Sequence, residues 1–408
     1  MRLPHAHSCR KCLAAMVLAL GLLLAPSAAG AAPSGKVFAW GCGLFGSGQC
    51  TVPAAAFSGV TAVAAGDRHS LALKDDGSVL AWGCGSSASD VCALPPDAAS
   101  GVTAIAAGNF QSLALRQDGS VVAWGCPGSA NHGQCAVPVA AKSGVTAIAG
   151  AFAHSLALKQ DGSMVAWGCA TPDVDAGQCT VPAAASSGVT AIAAGTSHSL
   201  ALKNGAVLAW GCGFGDYGQC GVPASATNGV TAIAAGEHHS LALKADGSVV
   251  AWGCVGFAID FGQCAVPPGA RTGVTAIAAG FADSLALKQD GTVIAWGCGT
   301  ANNYNTDFGQ CGIPVGLSGV SAIAAGSDHS LAVALPPPRP VTCVVPNVVG
   351  KVLAKAKASI VKAHCKVGKV MRKASSLKKK GRVLSQQPKG SSKKRRRGFK
   401  VNLTVGTG

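Results

Sequence analysis

Seven copies of the tetrapeptide Ala-Trp-Gly-Cys, beginning at Ala39, Ala81, Ala123, Ala166, Ala209, Ala251 and Ala295, recur at intervals of 42, 42, 43, 43, 42 and 44 residues. A fixed period of this size marks a repeat architecture, since a unit of about forty residues cannot bury its apolar face alone and must stack on its neighbours. Each unit reads alike. A strand such as Gly101–Gly108 (GVTAIAAG) is followed by HSLALK, a tight Asp-Gly turn, and VLAWG or VVAWG. A loop between two cysteines then ends in Gly-Gln-Cys and a short Val-Pro segment, as in Gly177–Pro182. In one unit the turn shortens to Asn204-Gly205, the strongest short hairpin signal, which makes this point a hairpin and not a helix. Apart from that turn, the length changes gather between the paired cysteines, as expected of a surface loop.

The first two strands are rich in Ala where ordinary strands carry Val and Ile. Sheets arranged radially supply a reason: near the axis the blades converge and only Ala and Gly fit, whereas Leu and Trp fill the wider gap outside. All seven Trp (Trp40, Trp82, Trp124, Trp167, Trp210, Trp252 and Trp296) occupy the AWG position, which predicts packing between blades and not a ligand platform. The chain enters the array with Lys36–Trp40, a third strand without its first two, and leaves with Ser321–Val333, two strands without a third. The halves complement each other. The expected fold is therefore all-β: a seven-bladed β-propeller closed by combining N- and C-terminal strands in one blade, followed by a small α+β domain.

The pattern AAG-x-x-HSLAL, DG-x-V-x-AWG and GQ, carried over Lys36–Ala334, resembles the repeats of the regulator of chromosome condensation family in their short, secreted bacterial form. The Trp-Asp dipeptide of WD-repeat propellers is absent, Trp being followed by Gly in every copy. Among secreted members, Val181–Gly211 is similar to β-lactamase inhibitor protein II, and that resemblance implies a seven-bladed propeller binding an enzyme across one face. After the stiff segment Pro336–Pro340, CVVPNVVGKVLAKAKASIVKAHCKVGKV (Cys343–Val370) resembles a PASTA domain. Lys351–His364 reads as its helix, with Leu353, Ala356 and Ile360 on one face, and Gly381–Pro388 and Val401–Gly406 match later strands. The resemblance implies binding to peptidoglycan or its stem peptides. The expected boundaries are a signal peptide over 1–32, the propeller over 33–335, a Pro-rich linker over 336–340 and a basic PASTA-like domain over 341–408.

Charge divides the chain in the same place. Residues 341–408 hold 19 Lys and Arg and no Asp or Glu, against 14 basic and 17 acidic side chains in residues 1–340. At the start, Arg2, Arg10 and Lys11 precede the apolar run Leu13–Ala25 and the small residues Pro26–Ala32. That is a signal-peptide pattern, too short to span a bilayer. No later segment is a candidate transmembrane helix, so the expected location is secreted, extracellular or cell-wall associated. Cys9 and Cys12 fall in the leader, and 16 cysteines remain. Fourteen occur as one pair per repeat (Cys42/Cys50, Cys84/Cys92, Cys126/Cys135, Cys169/Cys179, Cys212/Cys220, Cys254/Cys264 and Cys298/Cys311) and two, Cys343 and Cys365, lie in the tail. Local disulfides are expected, each stabilising its unit by roughly 2.5–3 kcal/mol. Zinc would need four clustered ligands, and no metal or other cofactor is expected.

His69, His154, His198, His239 and His329 share one repeat position, with Gln111 and Asp283 in the other two copies, and a Ser follows each. Catalysis needs one asymmetric constellation, so this ring reads as polar contacts to neighbouring backbone, and no enzyme activity is expected. The Asp-Gly turns lack the alternating oxygen ligands of a calcium loop. Variation gathers in the two residues before the His position and in the Cys–Cys loops, which carry Phe45, Phe214, Tyr217, Phe257, Phe261, Tyr304 and Phe308. The candidate partner face is Arg68, Phe110, Phe152, His238, Phe281, Tyr217 and Tyr304. Candidate wall-binding residues are Lys378, Lys379, Lys380, Lys393, Lys394, Arg395, Arg396 and Arg397. Nucleic acid is not the expected partner of an exported chain. The expected function is a secreted, non-enzymatic binding protein, its propeller a protein-interaction scaffold and its tail bound to peptidoglycan or another anionic cell-wall polymer. The alternative is a proteinaceous inhibitor of a secreted enzyme such as a β-lactamase.

Overall fold

The computed structural model describes residues 34–42, 46–85, 89–213, 216–256, 260–301, 304–305, 307–337, 342–390 and 393–408. The expected leader over 1–32 lies outside them, as do Phe45, Phe214, Phe257 and the side chain of Tyr304. The chain divides into two compact units between Leu335 and Pro336.

Seven three-stranded antiparallel sheets build the first unit. In one blade, Val60–Ala65, Ser70–Lys74 and Val79–Trp82 lie side by side in chain order. The seventh blade takes Val320–Ala325 and His329–Ala334 from the end of the array and Lys36–Gly41 from its start. Lys36 stands opposite Ala334 and Gly41 opposite His329, so the two half-blades complete each other and the ring closes. At the shortened turn, Asn204 and Gly205 both take positive φ, 51° and 74°, as a two-residue type I′ hairpin requires. In the longer turns Asp76 Oδ1 accepts hydrogen bonds from the N–H and hydroxyl of Ser78, at 2.9 and 2.6 Å, so this oxygen serves the turn.

The first strand of each blade runs nearest the axis, where Ala65, Ala107, Ala194, Ala235, Ala279 and Ala325 line a central well. The middle strands bury Leu71, Leu113, Leu156, Leu200, Leu241, Leu285 and Leu331 completely. Each Trp packs across a blade boundary: Trp82 lies with Val37, Leu331 and Val333 of the closing blade, and Trp124 with Leu71 and Leu73. Burying an indole this way leaves its N–H in need of a partner. The Gly-Gln-Cys segment provides one. Trp82 Nε1 donates to the Gln49 carbonyl at 2.8 Å, Trp167 to Gln134 at 2.9 Å and Trp296 to Gln263 at 2.9 Å, and Ser70, Ser155 and Ser284 donate to the same carbonyls. The Gln side chains are buried, and Gln134 folds back to accept from His132 N and donate to Ala130 O. Gly-Gln-Cys is thus a wedge that locks each disulfide loop onto the following blade. Only its backbone is needed: Val91 replaces the Gln in one loop and still accepts from Trp124 and Ser112. The wedge leaves no room beside it. A Cβ on Gly83, whose φ is 96°, would sit 2.7 Å from Gln49 N.

Each loop is closed by its own disulfide. The bonds are Cys42–Cys50, Cys84–Cys92, Cys126–Cys135, Cys169–Cys179, Cys212–Cys220, Cys254–Cys264 and Cys298–Cys311, with Cα atoms 6.0–6.4 Å apart. The sequence reading treats the two cysteines of a pair alike, and the structure separates them. The first is buried at Cys84, Cys126, Cys212, Cys254 and Cys298, where the chain leaves the third strand beneath its neighbour. The second, Cys50, Cys92, Cys135, Cys179, Cys220, Cys264 or Cys311, is only half-buried in every loop, because the residue before it is the one driven under the next blade. Cys135, Cys179 and Cys220 therefore act as loop closures at the surface and not as members of the core.

In the second unit Cys343 and Cys365 are bonded, with Cα atoms 4.8 Å apart. This unit holds the helix Leu353–Lys362, shorter at both ends than the sequence reading because Val352 is extended and His364 takes a φ of 57°. The helix sets Ala356 and Ile360 on a core of Val345, Val348, Val383, Val401 and Leu403. Its three-stranded sheet pairs Lys400–Gly406 antiparallel to Val383–Gln387 and parallel to Lys366–Lys373. Lys366–Lys373, which the sequence reading does not assign to a strand, is an edge strand. Among the described residues no helix is long and apolar enough to cross a membrane.

Candidate functional site

The variable dipeptide and the disulfide loop of each blade lie together at one end of the propeller. The N–H of the loop's first cysteine donates to the carbonyl of the second dipeptide residue: Cys126 to Phe110, Cys212 to Ser197, Cys254 to His238 and Cys42 to Asp328. The hairpin turns project at the opposite end of the strands, where Gly77 O accepts from Val102 N of the next blade. One face of the ring therefore collects the variable dipeptides together with the disulfide loops.

Most of the predicted partner residues meet there in small groups. Phe110 and Phe152 are in edge contact with centroids 5.8 Å apart, and His132, from a disulfide loop, tilts over Phe152 at 6.1 Å. Tyr217 packs edge-on against His238 at 4.7 Å. Phe261 and Phe281 are 6.3 Å apart. Phe152 and Phe281 also line the axial well. Arg68 lies apart from these aromatic contacts, with its guanidinium 3.6 Å from Asp67. His132 and Phe261 lie outside the partner face expected from the sequence; the first is an ordinary loop residue in sequence, and the second joins this group by touching Phe281. The well encloses about 100 Å³, room for a few waters and well below the roughly 300–1,000 Å³ of small-molecule sites. The aromatic groups stand on the rim of this well, which is itself too small for such a ligand.

An acidic lobe sits on the same face. Burial pushes Glu237 up to about 7, with the charges of Asp67 and Asp328 adding to the rise. Burial also lifts Asp328 to about 6, with Asp67 raising and Arg68 lowering it. Glu237 and His238 are 3.4 Å apart. Burial holds His238 down to about 4, so this contact is not an ion pair at neutral pH.

Beneath the face runs the ring of buried histidines. His69 Nε2 meets Ser112 Oγ of the next blade at 3.0 Å, and His154–Ser199, His198–Ser240, His239–Ser284 and His329–Ser70 repeat the contact at 2.9–3.0 Å. The sequence reading expected bonds to backbone; instead the partner is a hydroxyl, and only Gln111 reaches a carbonyl, His154 O at 3.0 Å. A His–Ser contact suggests a nucleophile and its base, but the protons run the wrong way. Ser70 Oγ spends its one proton on the Gln49 carbonyl, so His329 must donate through Nε2–H. These pairs are fully buried, and desolvation lowers the histidines to about 4 at His69 and about 3 at the other four. They are neutral donors between blades. Asp283, the seventh member, is fully buried with no hydrogen-bond partner on either oxygen, and burial pushes it up to about 8. Among the described residues no group of three or more His, Cys, Asp or Glu is placed to hold a metal.

In the second unit the two predicted basic runs are separated. Lys380 bridges to Gly406 at one end of the strand Lys400–Gly406. Lys394–Arg395 pairs with Cys343–Val344, and Gly398 lies against Lys366 beyond the other end. Arg395 stacks on Phe399 at 5.2 Å.

Comparison with known proteins agrees with both units. The regulator of chromosome condensation (RCC1) repeat is matched at residues 60–88, 102–134 and 230–257, and the PASTA domain at 344–407. Yeast RCC1 (Prp20), solved bound to Kap60, is 21% identical over 75% of this chain and 90% of its own, with a TM-score of 0.57. Prp20p from Saccharomyces cerevisiae, studied for binding to Gsp1p and histones, is 20% identical over 76% and 93%, with a TM-score of 0.53. Human WBSCR16 is 18% identical over 74% and 98%, at 0.51. At these identities the likeness is one of fold.

Proposed function

We propose that this chain, a propeller of RCC1 repeats followed by a C-terminal PASTA domain, is an exported, non-enzymatic binding protein that attaches to the cell wall through the PASTA domain and presents one propeller face to a protein partner. The observation that carries this reading is the gathering of dipeptides and disulfide loops on a single face, with exposed chemistry that differs from blade to blade while the interior repeats. A rim of aromatic clusters beside carboxyl groups suits a protein surface with apolar anchors and basic neighbours. The eight disulfides support an oxidising, extracellular setting. The PASTA match supports peptidoglycan or its peptides as the wall ligand. Co-sedimentation of the full chain with purified sacculi tests the attachment; retention in the supernatant at low salt overturns it. Inhibition of a secreted enzyme such as a β-lactamase is the second reading, supported by the resemblance of Val181–Gly211. It predicts that the full chain slows at least one member of a β-lactamase panel at micromolar concentration.

A further inference from the structure

The edge strand Lys366–Lys373 connects the two basic runs that the sequence leaves apart. It begins at Lys366, whose side-chain carbons lie 3.3–3.6 Å from the Cβ position of Gly398, next to Arg397. It ends at Lys373, opposite Gly406, the residue that bridges to Lys380. Between them Lys369 and Arg372 are exposed. At about 3.3 Å per residue the eight positions span roughly 25 Å. Residues 341–408 contain no carboxylate side chain, so nothing in the domain neutralises this row. Lysines on a free edge also guard against strand addition, but that purpose needs one or two charges and not a row running into clusters at both ends. Crowded like charges destabilise the compact state unless an anion sits among them.

We infer that this edge is a track for a linear phosphodiester polymer without bases, running from Arg397 past Lys366, Lys369, Arg372 and Lys373 to Lys380. The absence of bases follows from the lack of an open aromatic face to stack them. Phe399 is the one aromatic residue of 341–408, and its ring is taken by Arg395, whereas single-stranded nucleic acid sites interleave cations with open aromatic faces. The inference rests on the wall-attachment reading above and narrows its ligand to the polymer instead of the glycan.

Binding of the full chain to poly(glycerol phosphate) should fall steeply with salt, with a slope near 0.7 per phosphate displaced. The variant K366A/K369A/R372A/K373A should lose about 100-fold in affinity at low salt and lower the slope by about 3. A variant of equal charge loss on and just before the helix, K351A/K355A/K357A/K362A, should stay within about fivefold of the parent. Exchanging the four edge residues for the other basic type (K366R/K369R/R372K/K373R) should restore binding, which separates charge loss from misfolding. Equal losses in the edge and helix variants would reduce the effect to net charge and overturn the track, as would no loss in the edge variant. Tighter binding to oligo-dT of the same phosphate number would overturn the choice of a base-free polymer. A chain that binds untreated sacculi but shows no edge effect refutes the track alone; one that binds no sacculi refutes the attachment itself.

Discussion

Asp283 offers the sharpest test of how the propeller is held together. Five of the seven ring positions place an imidazole N–H on a serine hydroxyl of the next blade. Ser330 spends its proton on the Gln310 carbonyl at 3.3 Å, so it can only accept. An ionised carboxylate has nothing to give it. Burial raises Asp283 from 3.8 to about 8. The folded state therefore binds a proton that the unfolded chain has released, and its stability declines as pH rises from about 3.8 to 8. At 1.36 kcal/mol per unit, holding the acid neutral at pH 7 costs up to ~4 kcal/mol, and relaxation brings the expected figure to about 2–4. Asp283→Asn removes the ionisation and keeps the shape. It should stabilise the propeller by that amount at pH 7 and by only about 0.5 kcal/mol at pH 4, where the folded acid is protonated and the unfolded one, at 3.8, is just past half-ionised. Asp283→His should also stabilise at pH 8. At pH 4 its sign should reverse, since the equivalent buried histidines are lowered to about 3–4 and cost up to ~3 kcal/mol there. Denaturant titration followed by Trp emission is the assay, because all seven Trp lie within the repeats and report on the propeller alone. An equal gain from Asp283→Asn at pH 4 and pH 7 would show a packing effect and refute the ionisation argument.

The five neutral histidines make the propeller acid-labile. Their stabilisation is present above pH 6.5 and is lost as pH falls toward 3–4, with an upper bound of ~2 kcal/mol each at pH 5 that relaxation lowers, so denaturant midpoints should drop together below pH 6, and His154→Gln should flatten the slope. Gly83→Ala forces a Cβ to 2.7 Å from Gln49 N at a φ of 96° and should cost more than about 3 kcal/mol, whereas Gly101→Ala, with nothing within 4 Å, should cost about 1, the conformational penalty alone; thermal unfolding separates them. Removing Cys84–Cys92 by double Ser substitution should cost about 2.5 kcal/mol on the chain-entropy model, read as a lowered denaturant midpoint that reductant does not lower further at that loop.

Much of the scaffold could be read from the sequence because its constraints repeat. The half-blades at Lys36 and Ser321 pointed to closure, and Lys36–Gly41 pairs with His329–Ala334. The Ala-rich strands pointed to an axis, and Ala65 and Ala107 line it. The Trp positions pointed to blade boundaries. What escaped was chemistry carried by backbone. That Gly-Gln-Cys is a wedge follows from its carbonyl, which side-chain patterns do not show and which Val91 supplies as well as Gln does. Lys366–Lys373 escaped because an edge strand carrying Lys-Val-Gly-Lys-Val-Met-Arg-Lys has no apolar alternation: only Val367 touches the core.

The same use of backbone explains why one face can vary at all. The dipeptide residues are held through main-chain atoms: Asn109 N donates to Ala151 O, Glu237 N to Gly280 O and Phe281 N to Gly326 O, and the second residue's carbonyl takes the cysteine N–H. Nothing in this arrangement asks for a particular side chain. Phe, Asn, Thr, Glu or Ser can stand beside the well without loosening a blade, because the tie to the neighbour is unchanged. Below the face the opposite holds, since His, Ser and Trp are bonded through their side chains and recur in nearly every blade. Between the dipeptide and the strand beneath it, the step from variable to constant positions is thus the step from main-chain to side-chain bonding. A surface built this way can take on new contacts at little cost in stability, which is what a binding scaffold requires and what a buried catalytic pair would not permit.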